Sequence, residues 1–176
     1  MDKRYEENRR VKNEIARAFF SLLRQKQADD ISVTEITARA KVSRMAYYRN
    51  FQSKRDVIDF YLQETVWDEL AQKLQNDPQF YTRDYGVAFF KITQKHRSLF
   101  LLLDERGYAS TVLKAFDHAN GNLIGDMPSN SIERYKIHCF AGASYNCMIT
   151  WLRGGCKESA EDLAAYLASF FGDFTQ

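Results

Sequence analysis

The chain has 176 residues, of which 45% are hydrophobic and 27% charged. That is enough for one domain, or two small ones, around a sizeable core, and the balance excludes both a disulfide-stapled mini-protein and wholesale disorder. The formal charge of +2 is unevenly placed: residues 1–60 carry 14 Lys and Arg against 9 Asp and Glu, and residues 61–176 carry 11 against 14.

A basic first third on a mildly acidic remainder suits a nucleic-acid-binding head on a body with another task; a plain solvated surface is the other reading of the charge alone. Only 8 Gly and 2 Pro occur, too few turn-formers for an all-β protein, so an all-α fold is expected. No apolar run approaches the roughly 20 residues that span a bilayer, and the charged N-terminus (Asp2, Lys3, Arg4, Glu6, Glu7) has no signal-peptide core. Cys139, Cys147 and Cys156 stand at no zinc-finger spacing. These features predict a cytoplasmic protein with reduced cysteines, no membrane partner and no metal or other cofactor.

Val11, Ile15, Phe19 and Leu22 recur every three or four residues and predict an amphipathic helix over 8–26. Ser32 and Glu35 form a capping-box pattern that opens a second helix over 33–40, and Ser43 caps a third over 44–51. Ser53 and Asp56 repeat the signal. From there Val57, Ile58, Tyr61, Leu62, Val66, Leu70 and Leu74 predict one long helix that ends near Asn76-Asp77-Pro78, since proline cannot continue it. Further helices are predicted at 82–95, 97–104, 109–120, 131–153 and 159–173.

Two short helices joined by about three residues, with a first helix across their back, have the spacing of a helix-turn-helix. At about 100° per residue, Tyr47 and Phe51 share one edge of the third helix, while Arg44, Met45, Tyr48, Arg49 and Asn50 spread over the rest. The outward set suits a DNA groove. Arg can fork onto guanine O6 and N7, Met or Ala can touch a thymine methyl, and Tyr can donate to a phosphate.

The run from Ile31 to Val57, with its capped helix, Val42-Ser43 turn, Tyr47-Tyr48 pair, Phe51 and Ser53-Lys54, resembles the DNA-binding head of the TetR family of transcriptional regulators. The resemblance implies a helix-turn-helix domain over 1–53, a helical dimerisation and effector domain over 54–176, and a homodimer that binds double-stranded operator DNA and is released by an effector. It implies that Arg44, Met45, Ala46 and Arg49 face bases, and that Ser32, Thr34, Tyr48, Asn50 and Lys54 hold phosphates. Lys54 also lies in the first turn of a helix, where N-terminal amides attract phosphate. The basic Lys3, Arg4, Arg9 and Arg10 could extend that contact or be solvated only. Lys41 departs from the family pattern, standing where Gly is usual at a turn that favours positive φ; αL costs a residue such as Lys roughly 1 kcal/mol. Thr37 replaces a smaller Ala.

In the body, Leu163, Leu167, Phe170 and Phe174 step along one seam, and Ala143 and Trp151 lie on the preceding helix. Together they predict half of an intersubunit four-helix bundle, or else a closed core within one chain. Trp151 to Leu163 resembles a TetR subgroup that includes regulators of dihydroxyacetone kinase operons, which implies that a protein partner and activation are alternatives to a small effector and repression. Phe80, Tyr81, Tyr85, Phe89, Phe90, Phe100, Tyr108 and Phe116 could line a pocket for a small apolar effector, with Tyr145 among the polar groups that could orient it, or simply fill the core. No phosphate loop, nucleophile elbow or zinc-protease motif occurs, and the expectation is that the chain is not an enzyme.

Overall fold

The computed structural model describes residues 3–74, 82–124 and 130–171, and for 117–124 and 133 the backbone alone. All regular structure among them is helical: α1 (Lys3–Leu23), α2 (Val33–Ala40), α3 (Arg44–Asn50), then α4 (Lys54–Leu62) passing through a π turn (Gln63–Trp67) into α5 (Asp68–Leu74). After these come α6 (Arg83–Lys95), α7 (Arg97–Glu105), α8 (Ala109–Ile124), α9 (Ile132–Arg153) and α10 (Ala160–Phe171). No helix among the described residues is long and apolar enough to cross a membrane.

α1 starts earlier and stops earlier than its apolar spacing predicts. Its first turns have no buried face; they are held by the Glu7–Arg10 pair at 2.6 Å and by Arg9 reaching Glu64 of the π turn at 2.6 Å. At the other end Arg106 donates from Nε to the Leu23 carbonyl at 2.9 Å, giving one orphan carbonyl of the last turn its partner. α8 runs to Ile124 rather than 120, with Gly121 inside it, a residue that costs a helix roughly 1 kcal/mol. The predicted stop at Asn76 to Pro78, the aromatics Phe80 and Tyr81, and Phe174 lie outside the described residues.

One apolar cluster runs from Ile15, Phe19 and Leu23 of α1 through Val57, Ile58 and Leu62 of α4 to Phe90 of α6, Met148 and Leu152 of α9 and Ala164 of α10. The head therefore shares its core with the body instead of hanging from a linker. α10 lies along α6, and the two backbones approach where Gly86 faces Ala164. A Cβ built on Gly86 falls 2.8 Å from the Ala164 Cβ, closer than carbon atoms tolerate. Gly86→Ala is therefore expected to destabilise the protein by about 1–3 kcal/mol, despite the better helix propensity of alanine. Urea unfolding checks this; a midpoint equal to or above the wild type would show that the two helices can part.

Candidate nucleic-acid interface

α2, α3 and α4 each begin on a side-chain cap. The Ser32 Oγ accepts from the Glu35 amide at 3.2 Å, and the Glu35 carboxylate accepts from the Ser32 amide at 2.9 Å. Ser43 Oγ accepts from the Ala46 amide at 3.1 Å, and Ser53 and Asp56 make a second reciprocal box. Between α2 and α3 the chain turns in three residues because Lys41 takes the left-handed conformation, φ 56° and ψ 39°. Its strain is held by the Val42 amide donating to Thr37 O at 3.0 Å.

α3 has one sealed edge and one open face. Tyr47 is 1% exposed and Phe51 is buried; burial pushes the Tyr47 hydroxyl up to about 12, and that hydroxyl has no hydrogen-bond partner among the described residues. Phe51 packs on Phe60 of α4 with ring centroids 5.7 Å apart, and the Lys12 ammonium of α1 lies 5.9 Å and 5.4 Å from those two rings. That cation ties α1, the end of α3 and α4 together. It escapes a reading of local spacing, because its partners are 39 and 48 residues away. On the open face Arg44 and Arg49 are exposed, Met45 is 71% and Tyr48 52% exposed, and Ala46 is half-buried.

The residues expected at phosphates are less uniform. Thr34 and Ser32 are exposed at the start of α2. Asn50 is half-buried and donates to Ala46 O of its own helix at 2.8 Å. The Lys54 ammonium is half-buried and donates to the carbonyls of Ala28 and, at 3.2 Å, Ile31. Within this chain it fastens the α1–α2 connection. Arg9 and Arg10 are helical and paired with Glu64 and Glu7, so they do not form a loose basic arm.

In the body, the pocket candidates Tyr85, Phe89, Phe116 and Tyr145 are brought together. Tyr85 stacks near Phe89 at 6.5 Å, Phe89 meets Phe116 at 5.4 Å, and Phe116 meets Tyr145 at 5.9 Å. Phe100 is buried in the same core. Burial raises the Tyr85 and Tyr145 hydroxyls above the usual phenol range. Among the described residues no group of three or more His, Cys, Asp or Glu side chains is placed to hold a metal ion.

The seam expected to meet a second copy divides. Phe170 is 62% exposed, and Ala143 and Leu163 are half-buried. Trp151 and Leu167 have to be removed from it. Leu167 is buried in the chain's own core, and Trp151 is buried with its ring 5.5 Å from Phe90 and its indole N–H donating to Glu158 O at 3.0 Å. A side chain already covered by its own chain offers no area to another. Sequence reasoning missed Ile132 and Tyr135 of α9, which are exposed. Tyr166 of α10 is exposed beside Phe170, its ring 5.4 Å away.

The Glu35 carboxylate takes a bond from Lys26 as well as from Ser32, and these donors hold its pKa at about 2 against an ordinary 4.5. A carboxyl whose folded pKa is depressed stabilises the fold above its unfolded value and loses that contribution as pH falls towards the folded one. The head is therefore expected to lose stability between about pH 4.5 and pH 2, and Glu35→Gln to flatten that slope in acid unfolding followed by circular dichroism. Equal slopes for both proteins would remove this carboxylate from the account.

No protein-family model matches the sequence, and no curated protein is significantly similar to it. Solved structures do share its architecture. It is similar to a TetR transcriptional regulator from Streptococcus agalactiae 2603V, with a TM-score of 0.60 and 21% identity over 95% of this chain and 96% of that one. It is also similar to the dihydroxyacetone kinase operon activator DhaS, with a TM-score of 0.52 and 15% identity over 91% and 93% of the two chains. Three short-linked helices with one face of the third outward, carried on a long helix into a helical body, make this an all-α chain with the fold of the TetR-type transcriptional regulators.

Proposed function

We propose that the chain is a sequence-specific DNA-binding transcriptional regulator that acts as a homodimer. The head, residues 1–53, reads operator DNA, and the body, residues 54–176, pairs with a second copy and responds to an effector. The observation that carries this is the open face of α3, where Arg44, Met45, Tyr48 and Arg49 are exposed while Tyr47 and Phe51 are locked beneath. A short helix with one sealed edge and a face of forked cations, a thioether and a phenol has the size and chemistry of a major-groove reader. Arg44, Met45, Ala46 and Arg49 are assigned to base edges. Tyr48, Thr34 and Ser32 are assigned to phosphates, with Asn50 and Lys54 contributing by holding α3 and the α1–α2 connection in place.

Arg44→Ala is expected to weaken binding to DNA from upstream of its own gene by roughly tenfold to a hundredfold at fixed salt. Fluorescence anisotropy checks it, and undiminished affinity would remove α3 from the groove.

Dimerisation is assigned to the exposed apolar residues of α9 and α10: Ile132, Tyr135, Tyr166 and Phe170, with Ala143 and Leu163 at the margin. Exposed apolar area of this kind marks a contact surface, and a twofold pairing lets two recognition helices meet successive major grooves roughly 34–36 Å apart. Phe170→Glu is expected to give monomers by light scattering, with the helical content unchanged. A dimer mass in that variant would place the interface elsewhere.

A repressor released by a small apolar effector in the aromatic body is the primary reading. A second, an activator governed by a protein partner, is favoured by the similarity to DhaS, which is named as an operon activator. Transcript levels from the target promoter in a strain lacking the protein separate them: a rise means repression, a fall activation.

A further inference from the structure

We propose that the body takes a small, uncharged aromatic ligand bearing a carbonyl-type oxygen, and that the indole N–H of Trp67 is the group that recognises that oxygen. The proposal rests on the reading of the body as an effector domain and names the chemistry of its ligand.

Four helical segments each send one ring to the same place: Trp67 from the π turn, Phe89 from α6, Phe116 from α8 and Tyr145 from α9. Phe116 stands in the middle, with ring centroids 4.9 Å from Trp67, 5.4 Å from Phe89 and 5.9 Å from Tyr145, at interplanar angles of 83–88°. The rings meet edge to face, the arrangement aromatic pairs prefer. Inside this apolar setting is one polar atom that needs a partner. Trp67 is 7% exposed, and its Nε1 has no acceptor among the described residues. The other tryptophan, Trp151, donates to Glu158 O.

Burying an N–H without an acceptor is unfavourable, and a phenylalanine would fill an apolar site without that penalty. Ser144, beside Tyr145 on α9 and 3% exposed, has a second buried oxygen without a partner. Trp67 also ends a π turn, a one-residue insertion of the kind frequent at functional sites. The turn is braced by Gln63 donating to Asp68 at 2.8 Å and by Thr65 donating to Tyr61 O at 2.6 Å.

An N–H asks for an acceptor, so the ligand presents an oxygen with a free lone pair. Charge is disfavoured. The ionised groups that act on Tyr145, Asp104 and Arg153, are paired with each other, so a carboxylate placed among these rings would be desolvated without a counter-ion.

The test uses the full-length protein with 15N-labelled tryptophan and three probes: acetophenone, ethylbenzene and benzoate. Ethylbenzene is the more apolar of the two neutral probes, so a site without a donor prefers it. Acetophenone is expected to bind at least as tightly as ethylbenzene, to move the Trp67 indole resonance downfield where ethylbenzene does not, and to bind at least tenfold more tightly than benzoate. Trp67→Phe is expected to weaken acetophenone about tenfold and to leave ethylbenzene within twofold. Equal changes for both neutral probes, a Trp67 resonance that acetophenone does not move, or no binding of any probe would overturn the proposal. Should Trp67→Phe not fold, the indole resonance of the wild type decides. DNA binding by the free protein is measured separately, so that a failure of the regulatory reading is told apart from a failure of the ligand site.

Discussion

Presentation of α3 depends on the burial of two rings. A helix from Arg44 to Asn50 is far too short to persist in water on its own propensity, and its own caps supply only part of what it needs. Tyr47 and Phe51 supply the rest, sealed against the first helix and α4 and bridged by the Lys12 cation. Because that edge is fixed, the opposite face is fixed as well. Arg44, Met45, Tyr48 and Arg49 can be open to solvent without the helix unwinding, so this open face costs the head little of its order.

Much of the head was readable in the sequence because its signals are local. A capping box joins residues three apart, a helical edge repeats every three or four, and both reach the page as spacing. The boundaries of α2 follow directly from Ser32, Glu35 and the turn at Lys41. What spacing could not reveal are bonds between distant residues. The true end of α1 depends on Arg106, 83 positions away from Leu23, and Lys54 is drawn to Ala28 and Ile31. The seam on α10 shows the same limit from the other side. Periodicity identifies an apolar face, but whether Leu167 or Phe170 is covered by the chain's own α6 or left open is decided by the tertiary packing.

Head and body are joined by more than a continuous helix. Arg106, at the end of α7, donates to the last carbonyls of α1, and the Tyr108 ring lies 6.3 Å from Phe19 in the head's core. On the other side Arg9 of α1 reaches Glu64 in the π turn. α1 is thus held at both ends by parts of the body.

The π turn from Gln63 to Trp67 absorbs one residue more than regular winding accommodates. Deleting a single residue there would close the helix into an ordinary α register with Leu70 still on its buried side, whereas the same deletion within α5 would rotate everything beyond it by about 100° about the helix axis. The turn is thus the place in this long helix where the chain can shorten without swinging its apolar side out to water.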